Sequence, residues 1–121
     1  MRRALAALAL VICSVGLAGC GDDEPAGDGN TDLPTKTIDV TIEGDSVTPN
    51  GDRVEVQVGQ PIELVVTADA EGEIHVHSDP EQELECGSGT TTLTAFTIDK
   101  PGIIEVESHA LEKTIVQLEV K

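Results

Sequence analysis

From Thr37 onward, apolar residues recur at every second position, and this constrains the chain more than any other feature. Ile38, Val40 and Ile42 alternate with polar neighbours, as do Val54, Val56 and Val58, then Ile62, Leu64 and Val66. A period of two sends one set of side chains to one face of a strand and the intervening set to the other. Four further runs read the same way: Glu73 to His77 with Ile74 and Val76 on one face, Thr91 to Ile98, Ile103 to Ser108, and Thr114 to Val120 with Val116, Leu118 and Val120 on one side. Turn signals separate them at Pro49-Asn50-Gly51-Asp52, Gly59-Gln60-Pro61 and Asp99-Lys100-Pro101-Gly102. The stretch Ser78 to Gly89, with Pro80, Cys86, Gly87 and Gly89, reads as a long loop. No segment after residue 20 carries a helical period. About seven short strands rich in β-branched residues predict an all-β fold, an antiparallel Greek-key β-sandwich. Phe96 is the one aromatic residue, so Val, Ile, Leu and Ala must build the core, which is feasible at this size with a thin margin of stability.

The N-terminus is of another kind. Met1-Arg2-Arg3 is a basic start, Ala4 to about Val15 is apolar, and small residues follow, the three parts of a secretory signal. Leu17-Ala18-Gly19-Cys20 resembles the lipobox of bacterial lipoproteins. That resemblance implies a diacylglyceryl group on Cys20 and removal of residues 1–19. The alternative is an uncleaved membrane helix, but Ala4 to Cys20 is 17 residues with two glycines, at the low edge of what crosses a bilayer. Gly21 to Thr35 is rich in Gly, Asp, Pro, Asn and Thr and reads as a flexible tether. The expected organisation is a signal peptide over 1–19, the lipidated Cys20 and acidic tether over 20–36, and one domain over 37–121. It would sit lipid-anchored on the extracytoplasmic face of the cell membrane or of an outer membrane.

Charge narrows the partners. Loss of Arg2 and Arg3 would leave five basic residues against 23 acidic ones, a net charge near −18. Such a surface repels phosphate backbones and anionic headgroups, so nucleic acid is excluded as a partner and the lipid is the expected membrane attachment. Divalent cations and basic proteins are the favoured company. Of the cysteines, Cys13 falls in the signal and Cys20 takes the lipid, so Cys86 would remain as a single thiol. One thiol makes no internal disulfide in an oxidising compartment; it is buried, paired with another molecule, or bound to a metal.

The three histidines fall at two places, Glu73-Ile74-His75-Val76-His77 and Ser108-His109. On a strand, Glu73, His75 and His77 share a face, and the two His Cα atoms stand about 6.6 Å apart, close enough for both rings to reach one ion. His109 shares the face of Glu105 and Glu107. If the two strand ends lie together, three imidazoles could meet, a donor set suited to Cu²⁺ or Zn²⁺. Glu73 would orient an imidazole from behind or act as a ligand itself. A solvated His-x-His pair with no cofactor is the plain alternative. No Ser or Cys stands in a nucleophile context, and adjacent Ser108 and His109 point to opposite faces, so no catalytic residue is expected and the chain reads as a binding protein, not an enzyme.

The order of these motifs resembles a cupredoxin-like domain. Val47-Thr48-Pro49, Val54-Glu55-Val56 and Gly59-Gln60-Pro61-Ile62-Glu63-Leu64-Val65-Val66 are similar to that family's opening strands. Glu73 to His77 occupies the region of its first copper histidine, and Phe96-Thr97-Ile98 through Pro101-Gly102-Ile103-Ile104-Glu105-Val106 resembles the turn and strand leading to its copper loop. The likeness covers residues 37–121. A blue-copper centre uses two His, one Cys and a weak axial ligand, often Met. Here Ser108 stands at the Cys position, His109 follows it directly, and Met1 is the one methionine. The resemblance therefore implies the fold and a His-based site of different character, not type 1 electron transfer.

Two functions follow. In one, His75, His77 and His109 hold a divalent metal, copper before zinc, for capture or storage at the membrane face. In the other, a metal-free structural module binds another envelope protein through its edge or its 78–89 loop.

Overall fold

The structure, a computed structural model, describes residues 33–121. The expected signal peptide, Cys20 and the tether as far as residue 32 lie outside the described residues. Nine strands follow in order: β1 Lys36–Glu43, β2 Ser46–Thr48, β3 Asp52–Val56, β4 Ile62–Ala68, β5 Gly72–Val76, β6 Gln82–Cys86, β7 Gly89–Thr92, β8 Gly102–Ser108 and β9 Lys113–Val120. The described residues include no helix, and so none long and apolar enough to cross a membrane.

The strands form two layers, a four-stranded sheet in the order β2-β1-β4-β7 and a five-stranded sheet in the order β3-β9-β8-β5-β6. The apolar members of each alternating run meet between them. Ile38 and Val40 of β1, Leu64 and Val66 of β4, Ile74 and Val76 of β5, Val106 of β8, and Val116 and Leu118 of β9 all belong to one core. Each such side chain contributes about 1.5–3 kcal/mol on full burial, which lets an almost wholly aliphatic core hold the sandwich. Phe96 joins it from a loop, bridging to Ile62 through paired backbone hydrogen bonds of 2.8 and 3.0 Å. Gln60 anchors the entering chain: its Oε1 accepts from the Gln57 N–H and its Nε2 donates to the Pro34 carbonyl, both at 2.9 Å.

The all-β sandwich expected from alternation is present, with three differences of detail. The stretch 78–89 is not a loop, because β6 runs through it and pairs antiparallel with β5. Its alternation of Glu83 and Glu85 with Leu84 and Cys86 is a strand pattern masked by surrounding Pro, Gly and charge. The Thr91–Ile98 run is a regular strand only as far as Thr92; beyond it the Leu93 N–H donates to the Leu64 carbonyl, Phe96 bridges to Ile62, and the Ile98 carbonyl accepts from the Gly59 N–H. And β1 with β4, and β3 with β9, pair in parallel. Alternation reports which face a residue takes and is blind to strand direction.

An irregularity sits where β8 meets β9. Val106 opposes Val116 but Glu107 opposes Thr114, so Ile115 is an extra residue on β9. Bulges bend the strand and let consecutive residues turn inward. Ile115 and Val116 are accordingly both fully buried.

Candidate metal centre

Antiparallel pairing of β5 with β8 decides how the histidines are arranged. His75 opposes Glu107, and Ile74 opposes Ser108. Beyond the strand, the His109 N–H donates to the Glu73 carbonyl at 3.0 Å, while the His77 N–H donates to the Glu105 carbonyl at 2.9 Å. His109 therefore stands at the Glu73 end of β5 and His77 at the other, with His75 between them. On its far side β5 pairs with β6, which sets Glu83 opposite His75 and Glu85 opposite Glu73. The histidines and these glutamates project from the outer face of the five-stranded sheet, because their neighbours Ile74, Val76, Leu84 and Val106 fill or flank the core.

His75 is the hub. Its side chain is only 13% exposed, and Nε2 lies 2.5 Å from Glu73 Oε1. Its other nitrogen, Nδ1, lies 3.3 Å from Glu81 Oε1, and Glu83 Oε1 is 3.8 Å from Nε2. The His109 ring stacks on it, with centroids 4.3 Å apart and planes inclined by 20°. Donor atoms of Glu73, His75 and His109 all lie within 4.8 Å of one another, as do those of His75, Glu81 and Glu83. Two donors on a tetrahedral ion stand about 3.3 Å apart given bonds near 2.0–2.1 Å. Modest rotation of exposed His109 and of the glutamates would close the remaining gap.

His77 is brought near but not into the first group. Its ring centroid is 6.3 Å from that of His75, in an edge-on arrangement. Nε2 lies 2.9 Å from Glu107 Oε2, and Nδ1 lies 3.7 Å from Glu81 Oε2. The hydrogen bond to Glu107 raises His77 above the ordinary imidazole range. The charges of Glu107, Glu81 and Glu105 act in the same direction against a burial penalty. Glu73, placed from sequence as either an orienting or a ligating group, touches His75 directly and has the reach for both.

Two carboxylates, Glu81 and Glu83, are not singled out by the sequence; Glu107, expected on the face of His109, meets His77. The spacing Glu81, Glu83, Glu85 repeats the period of two and carries the signal for this strand. Charges on β6, an edge strand, also discourage pairing with other chains. Glu105 is held on the same face by Gln117, whose Nε2 donates to it at 3.2 Å. Beside the site an open cleft of about 630 Å³ is lined by Glu71, Glu73, Glu85, Cys86 and His109 among others.

The donor set does not fit a blue-copper centre. Ser108, at the position where the cupredoxin resemblance expects cysteine, is buried with 3% exposure, while His109 beside it faces outward. Cys86 is buried on β6, where its Sγ donates to the Gly72 carbonyl at 3.4 Å. Burial pushes its thiol up, which disfavours the thiolate that copper requires. Imidazoles with carboxylates do fit Cu²⁺ or Zn²⁺.

Comparison of the coordinates with solved structures agrees with the topology. Auracyanin A, a blue copper protein of Chloroflexus aurantiacus, superposes with a TM-score of 0.55 over 73% of this chain and 100% of its own, at 12% identity. The fold is cupredoxin-like. A multi-copper oxidase from Pediococcus acidilactici matches with the same TM-score of 0.55 at 17% identity, over 80% of this chain and 28% of the oxidase. A mutant amicyanin in its reduced Cu(I) form matches at 0.50 with 10% identity, over 74% and 87% of the two chains. No protein-family model and no curated protein sequence matches. At these identities the cupredoxin-like likeness concerns architecture, and function must be argued from the site.

Proposed function

We propose that this chain is a lipid-anchored metal-binding protein that captures Cu²⁺ on the outer face of its cupredoxin-like domain. The observation that carries the proposal is His75, a little-exposed imidazole held between Glu73 at 2.5 Å and the stacked ring of His109. His75 and His109 supply the imidazoles, Glu73 supplies an oxygen, and His77 with Glu81 lies within a side-chain rotation. A surrounding field of carboxylates raises the local concentration of cations. Copper is preferred over zinc by the general affinity order of nitrogen and oxygen donors. The role in this reading is capture or storage of the ion.

Calorimetric titration of the metal-stripped protein with Cu²⁺ and Zn²⁺ at neutral pH tests this. The expected result is tight binding that weakens on acidification, because only a deprotonated nitrogen ligates a metal, and that is lost in the triple variant His75→Ala, His77→Ala, His109→Ala. Only weak, salt-screened association, unchanged in that variant, would leave a metal-free envelope module as the better reading. The anchor has its own test. Protein recovered from membranes should begin at Cys20 and carry the mass of a diacylglyceryl group, and Cys20→Ser should release it; an intact Met1 in the membrane fraction would refute cleavage.

A further inference from the structure

We propose that His75 bridges two metal ions, one on each ring nitrogen, so that the site is a two-metal centre. This rests on the metal-binding reading above and extends it. The two nitrogens of His75 face different acceptors: Nε2 faces Glu73 at 2.5 Å, with Glu83 at 3.8 Å, and Nδ1 faces Glu81 at 3.3 Å. Each ring nitrogen thus faces a carboxylate oxygen, so an ion on either side would find an imidazole nitrogen and an oxygen together.

Each nitrogen also has a second imidazole on its side. His109 belongs to the Glu73 group. His77 belongs to the Glu81 side, because Glu81 reaches His75 Nδ1 with Oε1 at 3.3 Å and His77 Nδ1 with Oε2 at 3.7 Å. One carboxylate thus spans two Nδ1 atoms, as the shared ligand of an ion between them would. His77 is in turn steadied from behind by Glu107 on its Nε2 at 2.9 Å, the arrangement in which a carboxylate fixes a ligating histidine. The two sites are His75 Nε2, His109 and Glu73, with Glu83 in reach of the same nitrogen, for the first ion, and His75 Nδ1, His77 and Glu81 for the second. Holding both ions would require the His75 ring without an N–H, its proton passing to solvent.

The register explains why one ring takes this position. His109 and His77 lie at opposite ends of β5, whereas His75 sits between them and touches both groups. The charge is suitable: four carboxylates, Glu73, Glu81, Glu83 and Glu107, lie within 4.0 Å of an imidazole nitrogen, enough to balance two divalent ions.

The test is metal stoichiometry together with paramagnetic resonance on the purified full-length protein and three variants, titrated with Cu²⁺ and freed of loose ions by gel filtration. The expected result is two Cu²⁺ per chain, with a resonance intensity well below that of two isolated ions because the bridge couples their spins. Glu81→Gln, a nearly isosteric change at an exposed position, should retain one Cu²⁺ per chain at full one-ion intensity. His109→Ala should also retain one, and His75→Ala should lose both. One ion per chain in the unsubstituted protein would overturn the bridge and leave the metal-binding reading standing. Two ions at full intensity, or two that survive Glu81→Gln, would overturn it as well. No bound copper at all would sink both readings.

Discussion

Ile74→Ala is the sharpest test of how this fold supports its site. Ile74 is fully buried at the middle of β5, between Glu73 and His75, with Leu84 and Ser108 opposite it on the flanking strands. The change removes three carbons, worth about 0.8 kcal/mol each, or roughly 2.4 kcal/mol of transfer free energy. A close-packed interlayer collapses only partly around the gap, so a cavity term brings the loss to about 3–4 kcal/mol, inside the range of about 2–5 for such truncations. The described domain has 89 residues. At about 0.05–0.15 kcal/mol per residue its total stability is roughly 4–13 kcal/mol, so the substitution removes a large share of it. For this size each kcal/mol moves Tm by about 4–8 °C, which predicts a fall of at least about 12 °C. Far-UV circular dichroism is the suitable readout, because the chain has no Trp or Tyr to report by fluorescence. Ile103→Ala is the control: Ile103 is 47% exposed and should cost little. Well below the lowered Tm, copper stoichiometry should be unchanged, since Ile74 and His75 point to opposite faces. A drop below about 5 °C, or an equal drop for Ile103→Ala, would refute the inward placement of Ile74.

Three other outcomes follow from single residues. His77 is raised in the folded state by its hydrogen bond to Glu107, so its contribution is complete below the unfolded value near 6.5 and fades as pH rises through the folded value. With side chains 40% and 31% exposed, the pair is worth at most about 1 kcal/mol; in metal-free buffer wild type should exceed His77→Ala at pH 5 and match it at pH 9, and a gap that widens with pH would contradict the sign. Cys86, buried with its thiol pushed up, should react slowly with iodoacetamide at pH 7 until urea unfolds the chain; native labelling as fast as that of a free thiol would show it to be accessible. Gly102 has φ of 150°, a conformation that side chains rarely adopt, so Gly102→Ala should cost about 1–3 kcal/mol in urea unfolding although nothing lies within 4 Å of the added carbon; an unchanged midpoint would show that the turn relaxes freely.

Much of the architecture was legible because alternation encodes faces. Ile38, Val40, Leu64, Val66, Ile74, Val76, Val116 and Leu118 lie inward as their spacing required. The outward placement of His75 and His77 follows from the same rule. β6 was hidden since only Leu84 and Cys86 mark its inner face, and the extra inward residue Ile115 was hidden because a bulge breaks the period locally.

What the sequence by itself determined is therefore which side of a strand each residue takes, and which residues could ligate a metal: His75, His77, His109 and Glu73. It also held the departure from blue copper, since Ser108 and the absence of a methionine after Met1 are facts of composition and order. Register and strand direction were decided only in three dimensions. Nothing local states that β5 runs antiparallel to β8, yet that pairing puts His109 at the Glu73 end and His77 at the other. Nor does anything local state that β6 lies against β5 and delivers Glu81 and Glu83 to His75. Strand neighbours are chosen by how two whole sheets close over a common core, and the grouping of the histidines is a consequence of that closure.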